Sequence, residues 1–213
     1  MFNGRMVHGY HIILPVYGFW LPNDPRGSWS QFVGCWELAQ FGKPRRTPER
    51  FSLRDLSDAE RQQRDAARVA LKYPPVRLTG LQARAVGRGF AKQVRTSGYT
   101  IWACAILPEH THLVIARHQY SVEQMANLLR GAATRQLLDE GLHPLAACAE
   151  PNQRPPGMWA ERPWKFFLDS DDAITDAIAY VQNNPLEEGK PAQHWNFVMP
   201  YNGLSESGWT TYH

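Results

Sequence analysis

The chain has 213 residues, of which 43% are hydrophobic and 20% charged, and a formal net charge of +3. That is ordinary for a folded protein and long enough for one domain with a sizeable core plus a long insertion. No apolar run approaches the ~20 residues of a membrane span, and the first twenty residues lack the basic start, unbroken apolar run and cleavage site of a secretory signal.

The net charge hides an asymmetry. Residues 41–98 hold fourteen Lys/Arg against five Asp/Glu, whereas residues 139–213 hold four against eleven. A basic block of that size is either a footprint for a polyanion or a solvated helix face. The acidic half argues against a protein that coats nucleic acid with its whole surface. Cys35, Cys104 and Cys148 are scattered and odd in number, which reads as reduced thiols in a cytoplasmic protein rather than a disulfide framework or zinc knuckle.

In chain order, residues 10–17 (YHIILPVY) form a strand with Pro15 at its end or at an edge. Residues 18–30, dense in turn residues and tryptophan, form an ordered loop, and residues 41–51 form another. Residues 57–72 form a helix opened by a Ser57/Glu60 capping box and stopped by Tyr73-Pro74-Pro75. Residues 79–97 form the next, with Ala83, Val86, Phe90 and Val94 on one stripe, Arg84, Arg88, Lys92 and Arg95 on its neighbour, and Gly98 as the stop. Two β-rich runs follow, residues 99–107 and 110–116, around a short Pro-containing turn, which is a hairpin pattern. Residues 121–140 form a helix with a Ser121/Gln124 capping box and apolar Met125, Leu128, Leu129, Ala132 and Leu137. A proline-rich connection (142–163) leads to a short strand (164–168) and a last helix (170–184) with Asp171 and Asp172 at its positive end. With residues 18–80 set aside, the order is the split βαβ pattern of an α+β, ferredoxin-like fold: an antiparallel sheet with helices on one face, followed by one further helix.

Two stretches carry chemistry. His110 and His112 stand two apart at the head of a strand, so their side chains share a face, and two neutral imidazoles on one face can hold a divalent ion. The plain alternative is two histidines at a strand edge. On the last helix Tyr180 lies one turn before Asn184, a phenol and an amide oxygen on nearly the same face. Pro185 disfavours helical geometry at Asn184, which leaves Asn183 as a substitute. Here the plain alternative is a packing tyrosine near a helix end.

The pairing of LPEHTHLVI (residues 107–115) with AIAYVQNNPLEEG (residues 177–189), in that order and with one helix and a WKFFLD strand between them, resembles the single-tyrosine HUH transposases, most closely the REP-associated tyrosine transposases and related insertion-element enzymes. The opening YHIILPVYGFWLPNDPRGSWS also resembles a transposase-like subgroup. The resemblance implies a single HUH transposase-like domain over residues 1–213, with an insertion at about 18–80 that minimal members lack. It further implies a nucleoid-associated, metal-dependent endonuclease and strand transferase acting on single-stranded DNA near a hairpin, with no membrane partner and with room for a homodimer. On the matching positions, His110 and His112 fall on the HUH pair, Tyr180 on the nucleophile and Asn184 on the third polar ligand. Thr111 departs from the bulky apolar residue usual between the histidines, although it keeps the β-branching that suits a strand.

The implied chemistry suits the residues. A divalent ion on His110, His112 and Asn184 would polarise a phosphodiester, and a mixed His/Asn shell suits Mg²⁺ or Mn²⁺. Attack by Tyr180 would leave a 5′-phosphotyrosine and a free 3′-hydroxyl, a step that a second hydroxyl could reverse. Tyr201 and Tyr212 lack a ligand at helical spacing, and Tyr17 and Tyr99 read as strand residues. The Arg84, Arg88, Lys92 and Arg95 stripe would contact phosphates. Competing classes are a non-catalytic single-strand-binding module that uses this stripe and the tryptophans, and a histidine-triad nucleotide hydrolase. The latter needs a third alternating histidine where Val114 stands.

Overall fold

The computed structural model describes residues 6–19, 21 and 56–204. The segments 22–30 and 41–51, with Cys35 and Tyr212, lie outside the described residues. Among the described residues the elements are, in order, β1 (Gly9–Pro15), α1 (Asp58–Val69), α2 (Gly80–Ser97), β2 (Ile101–Ile106), β3 (His110–Ala116), α3 (Val122–Asp139), β4 (Trp164–Leu168) and α4 (Asp171–Glu187), with a 3₁₀ turn at Ala146–Cys148. The strands form one antiparallel sheet in the order β2-β3-β1-β4. Strand β3 lies between β1 and β2, so the crossover through α2 is split, as in the ferredoxin-like pattern.

The helices begin where short-range chemistry starts them. Ser57 with Glu60, Thr79 with Gln82, and Ser121 with Gln124 each form a reciprocal capping box, a cap being worth about 1 kcal/mol. Gly98, at φ 68°, closes α2 in the left-handed region. Helix α1 ends at Val69, three residues short of the expected Lys72.

Alternation along the strands sorts the side chains into two cores. Ile12, Leu14, Leu113 and Ile115 face α2 and α3, where they meet Val86, Phe90, Met125, Leu129 and Leu137. Leu128, expected on that stripe, is instead exposed. The opposite face carries Ala103, Ala105, Val114, Ala116 and Leu168 against Ile174, Ala177 and Val181 of α4. A bulge between Ile101 and Ala103 adds Trp102 to this second face. Thus α2 and α3 cover one face and α4 the other.

Helices α2 and α3 approach closely because Gly89 has no side chain. A Cβ there would lie 2.7 Å from the Ala132 carbonyl oxygen and from Ala133 Cα. Backbone atoms cannot swing aside, so Gly89→Val is expected to lose about 1–3 kcal/mol by forcing the helices apart. That exceeds the few tenths that valine gains over glycine in helix propensity. Urea unfolding measures it, and an unchanged midpoint would refute the contact.

After α4 the chain returns along the free edge of β2. The Gln193 side-chain amide donates to the Ile106 carbonyl (2.9 Å) and accepts from the Ile106 N–H (2.8 Å), standing in for a strand residue. Val198 then bridges Ile101 in parallel. An otherwise open edge is therefore covered. Among the described residues no helix is long and apolar enough to cross a membrane.

Candidate active site

The hairpin between β2 and β3 is tight: the Leu107 N–H donates to the His110 carbonyl (2.9 Å), which leaves Pro108 and Glu109 as the turn. The tip is held from outside. The Val16 N–H donates to the Glu109 carbonyl (3.0 Å) and the Leu78 N–H to the Pro108 carbonyl (2.7 Å). The Glu109 carboxylate accepts from Arg68 of α1 (3.4 Å) and from Arg77 (3.2 Å). One residue before the first histidine, then, the hairpin is tied to α1 and to the segment that follows it.

His110 and His112 lie on the α4 side of the sheet with ring centroids 4.7 Å apart, and Thr111 points into the opposite core, fully buried. His112 is 2% exposed. Phe19 stacks on His110 at 4.8 Å and 12° between planes. Its approach depends on Gly18, whose φ is +78° and where a Cβ would meet Leu71 and Pro75 at 2.9 Å.

Helix α4 brings the other half. The Tyr180 ring lies 5.5 Å from that of His112. The helix continues through Pro185 to Glu187, so Asn184 keeps helical register one turn after Tyr180. Proline lacks an N–H, yet the last turn survives because the Glu188 N–H donates to the Asn184 carbonyl (3.2 Å) and the Lys190 N–H to that of Pro185 (2.8 Å). Asn184 is buried and Asn183 exposed, which separates the two candidates that helical spacing leaves open. The Asn184 side-chain oxygen is buried with no hydrogen-bond partner among the described residues. Such an oxygen is costly unless something binds it.

His11 of β1 joins this cluster without a sequence signal. Its Nε2 lies 2.9 Å from Nδ1 of His112, and its ring packs on Phe166 and Tyr180, each at 5.6 Å. A lone histidine in YHIILP points to nothing by itself. Only the β1–β3 register, with Ile13 opposite His112 and His11 opposite Val114, brings it here.

This donor set fits a divalent ion: two imidazoles on one strand face, and a buried amide oxygen on the helix packed over that face. Among the described residues no three His, Cys, Asp or Glu side chains are arranged to hold a metal, so the third protein ligand would be the amide. The other described tyrosines lie elsewhere. Tyr201 donates to Asp171 at the start of α4 and packs on Trp102, Tyr17 packs on Tyr73, and Tyr99 on His118.

The basic stripe stands on the other side of the sheet. Arg84, Arg88, Lys92 and Arg95 all lie on the outer side of α2, whose buried side faces the core opposite α4. The stripe is not uniform, because Arg88 makes a two-pronged pair with Glu140 at the end of α3. The Arg88 guanidinium, and then the Gln136 amide, hold the Glu140 carboxyl down from the usual 4.5 to about 2. A depressed carboxylate stabilises the fold above its ordinary pKa, so this pairing is complete above about 4.5 and is lost as pH falls toward about 2. A pocket of about 540 Å³ lies on the other flank of α4, lined by Trp102, Gln182, His194, Trp195, Met199 and Tyr201 among others, and does not include the histidines of the cluster.

No family model matches the chain, and no curated protein sequence matches it. Solved structures are similar to it, among them two at 12% identity. One is of a REP-associated tyrosine transposase bound to a REP hairpin, aligned over 89% of this chain and 73% of its own with a TM-score of 0.44. The other is a protein provisionally assigned as a transposase, from Deinococcus radiodurans R1, aligned over 90% of this chain and 100% of its own with a TM-score of 0.36.

Proposed function

We propose that the protein is a transposase-like, metal-dependent nuclease and strand transferase for single-stranded DNA, with Tyr180 as nucleophile. The observation that supports this reading is the packing of the Tyr180 ring on His112, with His110 beside it and, one helical turn on, the buried Asn184 oxygen that has no hydrogen-bond partner among the described residues. No other described tyrosine combines these neighbours.

His110, His112 and Asn184 would hold the ion. Bound there, a Mg²⁺ or Mn²⁺ ion would withdraw charge from a scissile phosphate. The chain's own contribution is positional. A phenol on a helix packed against the sheet has few arrangements to lose before it attacks. Its oxygen bonds to phosphorus as its proton leaves, the bond from phosphorus to the 3′ oxygen breaks, and that oxygen takes up a proton. The 5′-phosphotyrosine so formed keeps the phosphate activated for a second 3′-hydroxyl, so one site serves both cutting and joining. Hairpin-flanked single strands are the substrate implied by the sequence resemblance.

The direct test is incubation of the protein with a labelled single strand that carries a hairpin, with Mg²⁺ or Mn²⁺, followed by a denaturing gel. The expected result is a covalent protein–DNA band that keeps label placed 3′ of the cut, since tyrosine retains the 5′ phosphate. Label retained from the 5′ side, or strand binding without an adduct, would overturn the reading, the latter in favour of a binding module.

The basic stripe is expected to contribute affinity rather than chemistry, because the sheet separates it from Tyr180. Replacing Arg84, Arg88, Lys92 and Arg95 by alanine should flatten the dependence of log affinity on log salt by about 0.7 for each phosphate no longer neutralised. With Arg88 engaged by Glu140, most of the change should come from the other three. An unchanged slope would make the stripe a solvated face.

A further inference from the structure

We propose that His11 is a positioning residue for His112: it accepts the Nδ1–H of His112 and so leaves Nε2 as the nitrogen with which His112 can meet a cation. The inference deepens the reading above and rests on it.

Three observations carry it. First, both rings are buried, His11 at 6% and His112 at 2% exposure, on a sheet face that also carries apolar Ala103, Ala105, Val114 and Ala116. An apolar side chain would fill position 11 without the cost of burying an imidazole, and that cost is met only by a hydrogen bond.

Second, the bond is specific. Nε2 of His11 lies 2.9 Å from Nδ1 of His112, an ordinary N–H···N separation. Each neutral ring has one donor nitrogen and one acceptor nitrogen. If His11 donates, His112 has its lone pair on Nδ1, already engaged, and a proton on Nε2. If His112 donates, its lone pair is on Nε2. Only the second arrangement leaves His112 able to ligate, and it requires that His11 carry its own proton on Nδ1.

Third, His11 is itself held. Phe166 of β4 lies nearly parallel to its ring at 5.6 Å and 29°, and Tyr180 of α4 meets it edge-on at 5.6 Å and 61°. The rings of His11, His112 and Tyr180 thus form a triangle with sides of 5.2, 5.5 and 5.6 Å. His11 therefore touches both the histidine that would hold the ion and the phenol that would attack. His110 is held by other means, face to face with Phe19.

The test uses the full chain and Mn²⁺ alone, with binding read by the electron paramagnetic resonance of free Mn²⁺ and no DNA present. His11→Phe keeps a planar ring but removes the acceptor. It should weaken Mn²⁺ binding by about 10- to 100-fold, the range usual for partners that orient a metal-binding histidine. His11→Gln offers an amide oxygen near the place of Nε2 and should recover most of that loss. In the metal-free protein, nitrogen-15 NMR at alkaline pH should find the His112 proton on Nδ1 in the wild type and in His11→Gln. In His11→Phe it should move to Nε2.

A wild-type His112 proton on Nε2 would overturn the proposal. So would Mn²⁺ affinity in His11→Phe within about twofold of wild type, or a His11→Gln as weak as His11→Phe. Should His11→Phe fail to fold, the wild-type tautomer and His11→Gln still decide. A wild type that binds no Mn²⁺ would overturn the metal reading itself. Wild-type binding that ignores position 11 would overturn only the role of His11.

Discussion

Tyr180→Phe is expected to abolish DNA cleavage, by about 10⁴-fold or more, and to abolish the covalent adduct, because it removes the attacking atom itself. The ring stays, and with it the packing on His112 and His11. Stability should therefore change by no more than about 1 kcal/mol, the net worth of one hydroxyl's hydrogen bonding. Affinity for Mn²⁺ and for single strands should survive, since neither needs the phenol in this scheme. Asn184→Ala should behave differently. It would take away a candidate ligand and leave the nucleophile, so part of the activity should return at high Mn²⁺. A Tyr180→Phe protein that still cuts, or an adduct that maps to Tyr201, would show that the site is assigned to the wrong helix position.

Removal of either strand histidine should end cation-dependent cleavage, yet the two should differ in what else is lost. His112 is buried and engaged with His11. His112→Ala leaves a nitrogen of His11 without that partner in a closed space, and should cost about 1–3 kcal/mol of stability in addition to Mn²⁺ binding. His110 is only partly buried, stacked with Phe19 and edge-on to His112. His110→Ala should therefore cost about 1 kcal/mol or less while weakening Mn²⁺ binding comparably. Urea unfolding beside Mn²⁺ titration separates the two effects. Cleavage by the wild type in excess EDTA would refute a role for the ion, and equal stability losses would refute the asymmetry in how the two rings are held.

Two residues from outside the sheet meet the head of β3. Phe19 lies on His110, and Arg68 of α1 reaches Glu109 next to it. The ring of His110 thus has a neighbour from outside the sheet. The contact depends on Gly18, where backbone conformation and the closeness of Leu71 and Pro75 both demand glycine.

Local rules are enough to find most elements of the fold. Capping boxes at Ser57 and Ser121 and the glycine stop at Gly98 are short-range chemistry, and each marks a helix end within a residue or two. The alternation His110, Thr111, His112 needs only the period of a strand, so the shared face of the two histidines is legible, as is the spacing of Tyr180 and Asn184 on one helix. Whether Pro185 ends that helix is not legible. Proline biases the preceding residue away from helical geometry, yet in the fold the helix runs through both Asn184 and Pro185 and buries them. Nor can sequence show that Arg88 is engaged with Glu140, fifty-two residues away. The largest gap is His11. Its place beside His112 depends on the register of β1 against β3, a pairing across 101 residues that no local pattern encodes. Local residue patterns show which side chains can do chemistry and which of them share a face within one element. Which faces meet follows from the fold, because strand register and helix docking are set by the sum of many distant contacts, each too weak to leave a signature in the chain.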